Sequence, residues 1–201
     1  MQLYPRDIIH VYNRGNNKQQ IFFEDRNYHS FLDKIKKHIA PKADILAYCL
    51  MPNHFHFLLH LSDVSCKPIK IGSLMSAEIN NGFRILLSSY ASAINKQFSF
   101  TGSLFQQKTK YKLLFRPSEN SRTSENYMTA CFHYIHQNPL RAGLVNKLED
   151  WKFSSFNEYC AGENVDFCTK KIAYEYLDLD KQNFYVHSYS VIKDEFIDKI
   201  F

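Results

Sequence analysis

Residues 51–60 read Met-Pro-Asn-His-Phe-His-Phe-Leu-Leu-His, an apolar run that opens with alternating histidine and phenylalanine. Side chains of a β-strand alternate between two faces, so His54 and His56 should project side by side from one surface. Phe55 and Phe57 then fall on the opposite face, where they can anchor a half-buried strand to a core. Two neutral imidazoles held in this way suit a divalent metal ion.

The hydrophobic period and the turn residues predict six further elements around this strand. The order is strand, helix, strand, strand, helix, strand, helix, with predicted bounds 8–13, 25–39, 45–50, 53–61, 73–98, 108–115 and 124 or 125 to 138. Pro139 is expected to stop the last helix, and residues 63–71 are expected to form a polar loop. The link through Met51-Pro52 is too short for a crossover, so the strands beside it should form an antiparallel hairpin.

This order of elements predicts an α+β fold with a ferredoxin-like or RRM-like core. In such a core an antiparallel four-stranded sheet has helices packed on one face, and the other face is free for a ligand. The chain of 201 residues is long enough for one well-buried domain and an appendage. We expect residues 1–160 to form that domain. Residues 161–201, rich in Tyr and Phe, are expected to fold back as a C-terminal accessory segment with helices at 174–179 and 191–201.

Charge is distributed unevenly along the chain. Residues 1–160 hold 20 Lys and Arg against 12 Asp and Glu, a net of +8; residues 161–201 hold 5 against 8, a net of −3; together these give the +5 of the whole chain. A basic body suggests a polyanionic partner, although a solvated surface can carry the same excess. The five cysteines are scattered and form no Cys-x-x-Cys pair, so we expect reduced thiols rather than a disulfide framework.

A second polar constellation lies in the last predicted helix, in Cys131-Phe132-His133-Tyr134-Ile135-His136-Gln137-Asn138-Pro139. Tyr134 and Asn138 are four residues apart, so on a helix they share a face, with Cβ atoms about 6 Å apart. A tyrosine hydroxyl is a poor nucleophile until a base or a metal ion assists it. The carbonyl oxygen of Asn138 can ligate a hard cation. His54, His56 and Asn138 would then form a metal site that is open to a phosphate, which Tyr134 would attack.

The chain resembles the HUH single-tyrosine transposases, and especially the branch associated with repetitive extragenic palindromes (REPs). Five stretches carry the resemblance in the family's order: HVYNRG (10–15), MPNHFHFLL (51–59), GSLFQ (102–106), YIHQNPLRAGLV (134–145) and WKFSSF (151–156). They span roughly residues 8–160. Their joint occurrence is highly specific, whereas His-x-His alone is a weak signal.

The resemblance implies that residues 1–160 are a metal-dependent single-strand DNA endonuclease and strand transferase. By this resemblance His54 and His56 are paired ligands of Mg²⁺ or Mn²⁺. Tyr134 is the nucleophile, which displaces a 3′-hydroxyl and leaves a 5′-phosphotyrosine that a second 3′-hydroxyl resolves. Family members often carry Gln where Asn138 stands, so Gln137 is an alternative to Asn138 as third ligand.

The same resemblance sets the expected partners and location. Single-stranded DNA, with a hairpin or palindromic repeat, is the expected substrate. Some relatives act as dimers that exchange the helix carrying the nucleophilic tyrosine, and others act as monomers, so a homodimer is one expected state. No apolar run approaches the roughly 20 residues of a membrane span, and the N-terminus has no apolar signal region. We therefore expect a cytoplasmic, nucleoid-associated protein.

Five basic residues are candidates for DNA contacts. Lys108, Lys110 and Lys112 alternate along one predicted strand and would share a face, although a solvated edge strand shows the same pattern. Arg14 follows the first strand and Arg141 follows the tyrosine helix, where each could contact a phosphate.

His60 lies too far along the strand to share one metal ion with His56. Several alternatives remain open at this stage. Tyr127, seven residues before Tyr134 and on nearly the same helical face, is the nearest rival nucleophile. The chain could be a non-catalytic single-stranded nucleic-acid-binding module on the same fold. It could also be a zinc protein with the ligands Cys49, His54, His56 and Cys131.

Overall fold

The chain folds around a four-stranded antiparallel sheet in a computed structural model, which describes residues 2–118, 122–161, 167–192 and 196, with backbone alone for residues 122–125. Its strands are β1 (Ile8–Arg14), β2 (Ala43–Met51), β3 (His54–Leu61) and β6 (Lys110–Phe115), in the spatial order β2-β3-β1-β6. A separate hairpin is formed by β4 (Pro68–Ile71) and β5 (Leu74–Ala77). The helices are α1 (Asp25–His38), α2 (Asp63–Cys66), α3 (Glu78–Phe98), α4 (Arg122–Arg141), α5 (Phe156–Cys160), α6 (Lys170–Tyr176) and α7 (Phe184–Ser188). The predicted α+β class and antiparallel sheet are confirmed. In this described part of the chain no helix is both long and apolar enough to cross a membrane.

The pairing of β1 with β3 places the ends of the two strands side by side. Arg14 lies opposite His54, and Tyr12 lies opposite His56. Residues directly opposite each other in an antiparallel pair point to the same face. One face of the sheet therefore carries the two histidines together with side chains of β1.

Helices cover both faces of this sheet. On the phenylalanine face, the ring of Phe31 in α1 lies 5.2 Å from that of Phe55, and Phe83 in α3 lies 6.5 Å from the same ring. On the histidine face, α4 brings the ring of Tyr134 to 6.2 Å from that of His56. The expectation that this second face is free is thus corrected, because α4 has an apolar stripe of its own that it buries there.

Residues 68–77 form a hairpin where the sequence predicts a polar loop and the first turn of a helix. Ile69 pairs with Ser76, and Ile71 pairs with Leu74, across a two-residue turn at Gly72 and Ser73. Gly72 has a φ of 61°, a left-handed conformation that glycine adopts without strain and that two-residue hairpin turns require. The helix predicted from residue 73 therefore begins only at Glu78.

Helix α4, which carries Tyr134, continues through Pro139, although Pro139 was expected to stop it. Proline has no N–H, so the carbonyl of Ile135 receives no backbone donor from it. The side-chain Nδ2 of Asn138 donates to the oxygen of Tyr134 at 2.9 Å and lies 3.5 Å from the oxygen of Ile135. An asparagine amide thus supports the turn that contains the proline, and the chain leaves the helix at Gly143, whose φ is 67°.

Gly82 lies inside α3, where glycine usually costs about 1 kcal/mol relative to alanine. A Cβ at this position would lie 2.7 Å from the backbone oxygen of His38. We therefore expect Gly82→Ala to lower the free energy of unfolding by about 1–3 kcal/mol, the usual cost of overpacking. Urea unfolding measures this, and Ser92→Ala on the exposed side of the same helix should be nearly neutral. A Gly82→Ala protein as stable as wild type would contradict this close packing.

The described part of the tail lies against α4 and α5. Phe184 of α7 stacks on Tyr159 of α5, with ring centroids 5.4 Å apart. Helix α6 overlaps the helix predicted at 174–179, and the helix predicted at 191–201 lies largely outside the described residues. The division into a domain of residues 1–160 and an accessory segment of residues 161–201 stays a prediction.

Candidate active site and nucleic-acid interface

His54 and His56 open β3 and project from the face that α4 crosses. Their ring centroids are 5.0 Å apart, with the ring planes perpendicular. Nδ1 of His54 donates to Oδ1 of Asn53 at 2.6 Å. A hydrogen bond at Nδ1 fixes an imidazole and leaves Nε2 as the nitrogen for a ligand. The two imidazoles therefore stand together as the strand alternation predicts.

His10 is a third histidine of this site, and sequence reasoning did not assign it a role. Its Nε2 lies 2.9 Å from Nδ1 of His56, and the two rings stack with centroids 5.1 Å apart. Tyr12 also stacks on His10, with centroids 4.8 Å apart, and its ring lies 5.8 Å from that of His56. The hydrogen bond orients the His56 ring in the way that outer partners orient metal-binding histidines. An alternating His-Val-Tyr at residues 10–12 is the signal that could have indicated it.

Both candidate ligands are held in the neutral state. Burial, followed by the nearby guanidinium of Arg14, lowers the pKa of His54 to about 4, and the neighbouring side chain of Asn138 opposes this shift. Burial, followed by the neighbouring rings of His10 and His54, holds the pKa of His56 well below its usual value. Neutral imidazoles are the form that binds a metal ion, so near pH 7 no proton has to leave first.

Helix α4 brings the predicted nucleophile and the predicted amide to these histidines. The ring of Tyr134 meets that of His56 edge-on, at a centroid distance of 6.2 Å. The side chain of Asn138 lies close enough to His54 to affect the pKa of that ring. Since Nδ2 of Asn138 donates to the helix backbone, its carbonyl oxygen is the atom that can face the histidine. Residues some eighty positions apart in the chain thus form one cluster.

Gln137, the alternative to Asn138, points elsewhere. Its Nε2 donates to the backbone oxygens of Ser188 at 2.8 Å and Ser190 at 2.9 Å. The side chain is buried against the tail. One residue along a helix is a rotation of about 100°, which carries Gln137 away from the face that Tyr134 and Asn138 share.

Tyr134 is 6% exposed, and its hydroxyl is a weak acid in this environment. Burial raises the pKa of Tyr134 to about 12, while the positive charge of Arg141 acts in the opposite direction. The guanidinium carbon of Arg141 lies 5.7 Å from the centre of the tyrosine ring. Arg141 is therefore placed to favour the phenolate over the phenol.

The basic residues predicted to contact DNA from the strands lie in two places. Lys110 lies opposite Tyr12 and Lys112 lies opposite His10, so both share the histidine face, and Arg14 is adjacent to His54. Lys108 is exposed and precedes β6, so the prediction that all three lysines share one strand face is wrong for Lys108. The strand begins two residues later than the alternation suggests.

Tyr127 lies on the same helix and faces a different neighbour. The ammonium of Lys112 lies 5.8 Å from the centre of its ring. Burial raises its pKa above the usual tyrosine value. The ring that contacts His56 from α4 is that of Tyr134, which makes Tyr127 a suitable matched control.

The other histidines and the cysteines do not form a metal site among the described residues. Nδ1 of His60 lies 3.0 Å from Oδ2 of Asp44, about 20 Å along the strand from His54. Burial raises the pKa of Cys49 and of Cys131, so both remain thiols rather than thiolate ligands. Across the described residues, no three His, Cys, Asp or Glu side chains are placed to hold a metal ion. The zinc alternative therefore has no support.

Buried histidines should make stability depend on pH. Burial lowers the pKa of His54 and of His133 to about 4, and holds the pKa of His56 and of His136 well below 6.5. The unfolded chain then binds more protons than the folded chain between about pH 6.5 and 4. We expect the free energy of unfolding to be level above pH 6.5 and to fall as the pH drops through that window.

Urea unfolding in EDTA at a series of pH values measures this dependence. The variant His29→Ala, which removes an exposed histidine, should show the same slope as wild type. Equal stability at pH 7 and pH 4.5 would contradict the burial of neutral rings.

Comparison with known proteins gives a match at the level of the fold. No protein-family model matches the chain, and no curated protein matches it. Among solved structures, the REP-associated tyrosine transposase bound to a REP hairpin matches with a TM-score of 0.56 and 19% identity, over 83% of this chain and 92% of that chain. This chain has the fold of a REP-associated tyrosine transposase.

That transposase fold agrees with the family that the five sequence stretches resemble. A bacterial tRNA(His) guanylyltransferase-like protein in complex with GTP also matches, with a TM-score of 0.38 and 8% identity over 72% of this chain and 71% of that chain.

Proposed function

We propose that this protein cuts and rejoins single-stranded, hairpin-containing DNA through a covalent 5′-phosphotyrosine at Tyr134. The contact of α4 with the end of β3 carries the proposal, because it sets the ring of Tyr134 against that of His56 and brings Asn138 near enough to His54 to affect its pKa. A nucleophile, two neutral imidazoles and an amide oxygen suit metal-assisted transfer of a phosphodiester. The fold shared with a transposase that was solved with a REP hairpin supports hairpin DNA as the substrate.

The donor atoms fit Mg²⁺ or Mn²⁺. His54 and His56 are neutral, and each ring has a hydrogen bond at Nδ1. The oxygen of Asn138 would be the third ligand, in preference to Gln137, which donates to the tail. When bound there, the ion would neutralise charge on the scissile phosphate and polarise it.

Cations around the histidines would hold the DNA backbone. Arg14 lies beside His54, and Lys110 and Lys112 extend the same face to the edge of the sheet. Ammonium and guanidinium groups bind phosphate oxygens without regard to base sequence. We propose that these residues position the strand so that one phosphate reaches Tyr134.

In the reaction, the hydroxyl oxygen of Tyr134 bonds to phosphorus as its proton leaves. The bond from phosphorus to the 3′-oxygen breaks, and that oxygen takes up a proton to become a free 3′-hydroxyl. One phosphodiester replaces another, so no external source of energy is needed. Arg141 over the ring assists by favouring the phenolate, and a second 3′-hydroxyl reverses the step to rejoin DNA.

The candidate site is complete within one chain. Tyr134, His54 and His56 come together without a second copy. We therefore propose that a monomer is active and that a homodimer is not needed to build the site. A DNA substrate also supports a cytoplasmic, nucleoid-associated location.

The proposal is tested with a labelled hairpin oligonucleotide that carries single-stranded arms. In Mn²⁺ we expect an SDS-resistant adduct of protein and DNA, together with a fragment that ends in a 3′-hydroxyl, and EDTA should prevent both. Binding without an adduct would favour the non-catalytic single-stranded nucleic-acid-binding module. A protein that neither bound the oligonucleotide nor formed an adduct would contradict a role in DNA cleavage altogether.

A further inference from the structure

A short segment of the tail holds one side of helix α4. This segment, residues 184–190, consists of α7 and the two residues after it and is called the C-terminal clamp below. Nε2 of Gln137 in α4 donates to the backbone oxygens of Ser188 at 2.8 Å and Ser190 at 2.9 Å. One helical turn earlier, Nδ1 of His133 lies 3.2 Å from the hydroxyl oxygen of Ser188. The clamp therefore contacts α4 at two positions that lie on either side of Tyr134 in the sequence.

These contacts between α4 and the clamp are buried. Gln137 is 6% exposed, and Ser188 is fully buried. A primary amide carries two hydrogens, and Gln137 uses its nitrogen on two carbonyl oxygens of the clamp. A buried donor that loses its acceptor is costly, so both bonds resist a movement of α4 relative to the clamp.

The clamp is fixed in turn to the segment that follows α4. The hydroxyl of Tyr189 accepts from the N–H of Leu148 at 2.9 Å and donates to the carboxylate of Glu149 at 2.6 Å. The hydroxyl of Tyr185 donates to the same carboxylate at 2.8 Å. Two tyrosines of the clamp thus share one acceptor outside α4.

That segment is joined to the main sheet. The ring of Phe184 stacks on that of Tyr159, with centroids 5.4 Å apart, and the hydroxyl of Tyr159 donates to the oxygen of Leu46 in β2 at 2.5 Å. The N–H of Leu50 in β2 donates to the oxygen of Phe153 at 2.9 Å. A continuous series of contacts therefore runs from β2 through residues 148–160 and the clamp to α4.

The rotation of α4 about its axis decides where Tyr134 points. Gln137 lies about 100° around the helix from Asn138, so its bonds to the clamp oppose such a rotation. Side chains end about 5–6 Å from a helix axis, so a rotation of about 10° would move the tyrosine hydroxyl by about 1 Å. A misplacement of about 1 Å can slow a reaction by roughly 100-fold.

We propose that Gln137 is a positioning residue for Tyr134. Through its bonds to the clamp it fixes the rotation of α4 and so aims the tyrosine at the phosphate. This inference rests on the proposed function, because that function supplies the reaction. It gives the clamp a part in the rate of the covalent step and no part in the affinity for DNA or for the metal ion.

The main test compares Gln137→Leu with wild type in single-turnover formation of the adduct. Leucine keeps most of the volume and removes both donors. At saturating hairpin DNA and Mn²⁺ we expect the rate to fall by about 10- to 100-fold, while the half-saturating concentrations of both stay at their wild-type values. Gln182→Leu makes the same change at an exposed position of the tail and should leave the rate unchanged.

A second variant acts at the anchor of the clamp rather than on α4. Tyr189→Phe removes the hydroxyl that binds Leu148 and Glu149, and we expect a slower adduct by a smaller factor, again with unchanged binding. Tyr189 is 36% exposed, so this variant should fold even if Gln137→Leu does not. Hydrogen exchange measured by mass spectrometry should be faster in α4 of both variants and unchanged in β3.

The outcomes separate this inference from the proposed function. Adduct formation at or above the wild-type rate in both variants would overturn the positioning role and leave the function standing. A lower Mn²⁺ affinity in Gln137→Leu would make Gln137 a metal ligand and would also overturn it. If wild-type protein forms no adduct, the proposed function is refuted and the positioning role with it, even where exchange in α4 shows that the clamp holds the helix.

Discussion

The variant Tyr134→Phe is expected to form no SDS-resistant adduct with hairpin DNA, while it still binds that DNA. The change removes one oxygen and keeps the ring that contacts His56 and Arg141, so the packing of α4 should survive. Without the hydroxyl there is no atom to form the bond to phosphorus. Denaturing gels with labelled DNA and Mn²⁺ measure the adduct, and fluorescence anisotropy in EDTA measures binding.

Tyr127→Phe is the matched control for this experiment. It removes the same oxygen from the same helix, seven residues away, where the ring faces Lys112. We expect it to form the adduct at the wild-type level. An adduct that persists in Tyr134→Phe and disappears in Tyr127→Phe would assign the nucleophile to Tyr127 and refute the proposed site.

Loss of a histidine ligand should have the second largest effect, and it can be measured without DNA. His54→Ala is expected to weaken Mn²⁺ binding by more than the roughly 10- to 100-fold that outer partners of a metal ligand contribute. His54 is the better choice for this variant because it is partly exposed, whereas His56 is fully buried. Electron paramagnetic resonance of free Mn²⁺ gives the affinity directly.

Variants of two other histidines serve as comparisons for the Mn²⁺ affinity of His54→Ala. His10→Phe keeps the stacking on Tyr12 and removes the hydrogen bond to His56, so we expect Mn²⁺ affinity to fall by about 10- to 100-fold. His60→Gln changes a side chain that hydrogen-bonds Asp44 at the far end of β3, and should leave the affinity unchanged. If wild type and His54→Ala bound Mn²⁺ with equal affinity, His54 would not be a metal ligand and the proposed metal site would be refuted.

The main sheet could be predicted from the sequence because its strands carry strong local signals. In β3 the alternation of histidine and phenylalanine determines which side chains share a face, and that assignment holds in the structure. The spacing of Tyr134 and Asn138 likewise places both on one helical face. That these residues form the active site stays a prediction.

Other features depend on pairings that no local pattern determines. The contact between His10 and His56 needs the register of two strands whose residues are 46 positions apart, and register follows from the packed sheet. The hairpin at residues 68–77 has strands of four residues each, too short for a clear period. The covered histidine face could not be predicted either, because it depends on where α4 docks.

The turn at Asn138 and Pro139 couples the substitutions that these two positions can tolerate. The asparagine amide uses its nitrogen on helix carbonyls in the turn where proline lacks an N–H, which leaves its oxygen as the atom that could bind a metal ion near His54. A lineage that lost the proline would regain a backbone donor and leave the amide free to rotate. A lineage that lost the asparagine would forfeit a helix contact and a candidate ligand together. We therefore expect substitutions at these two positions to arise as coupled changes among descendants of this gene.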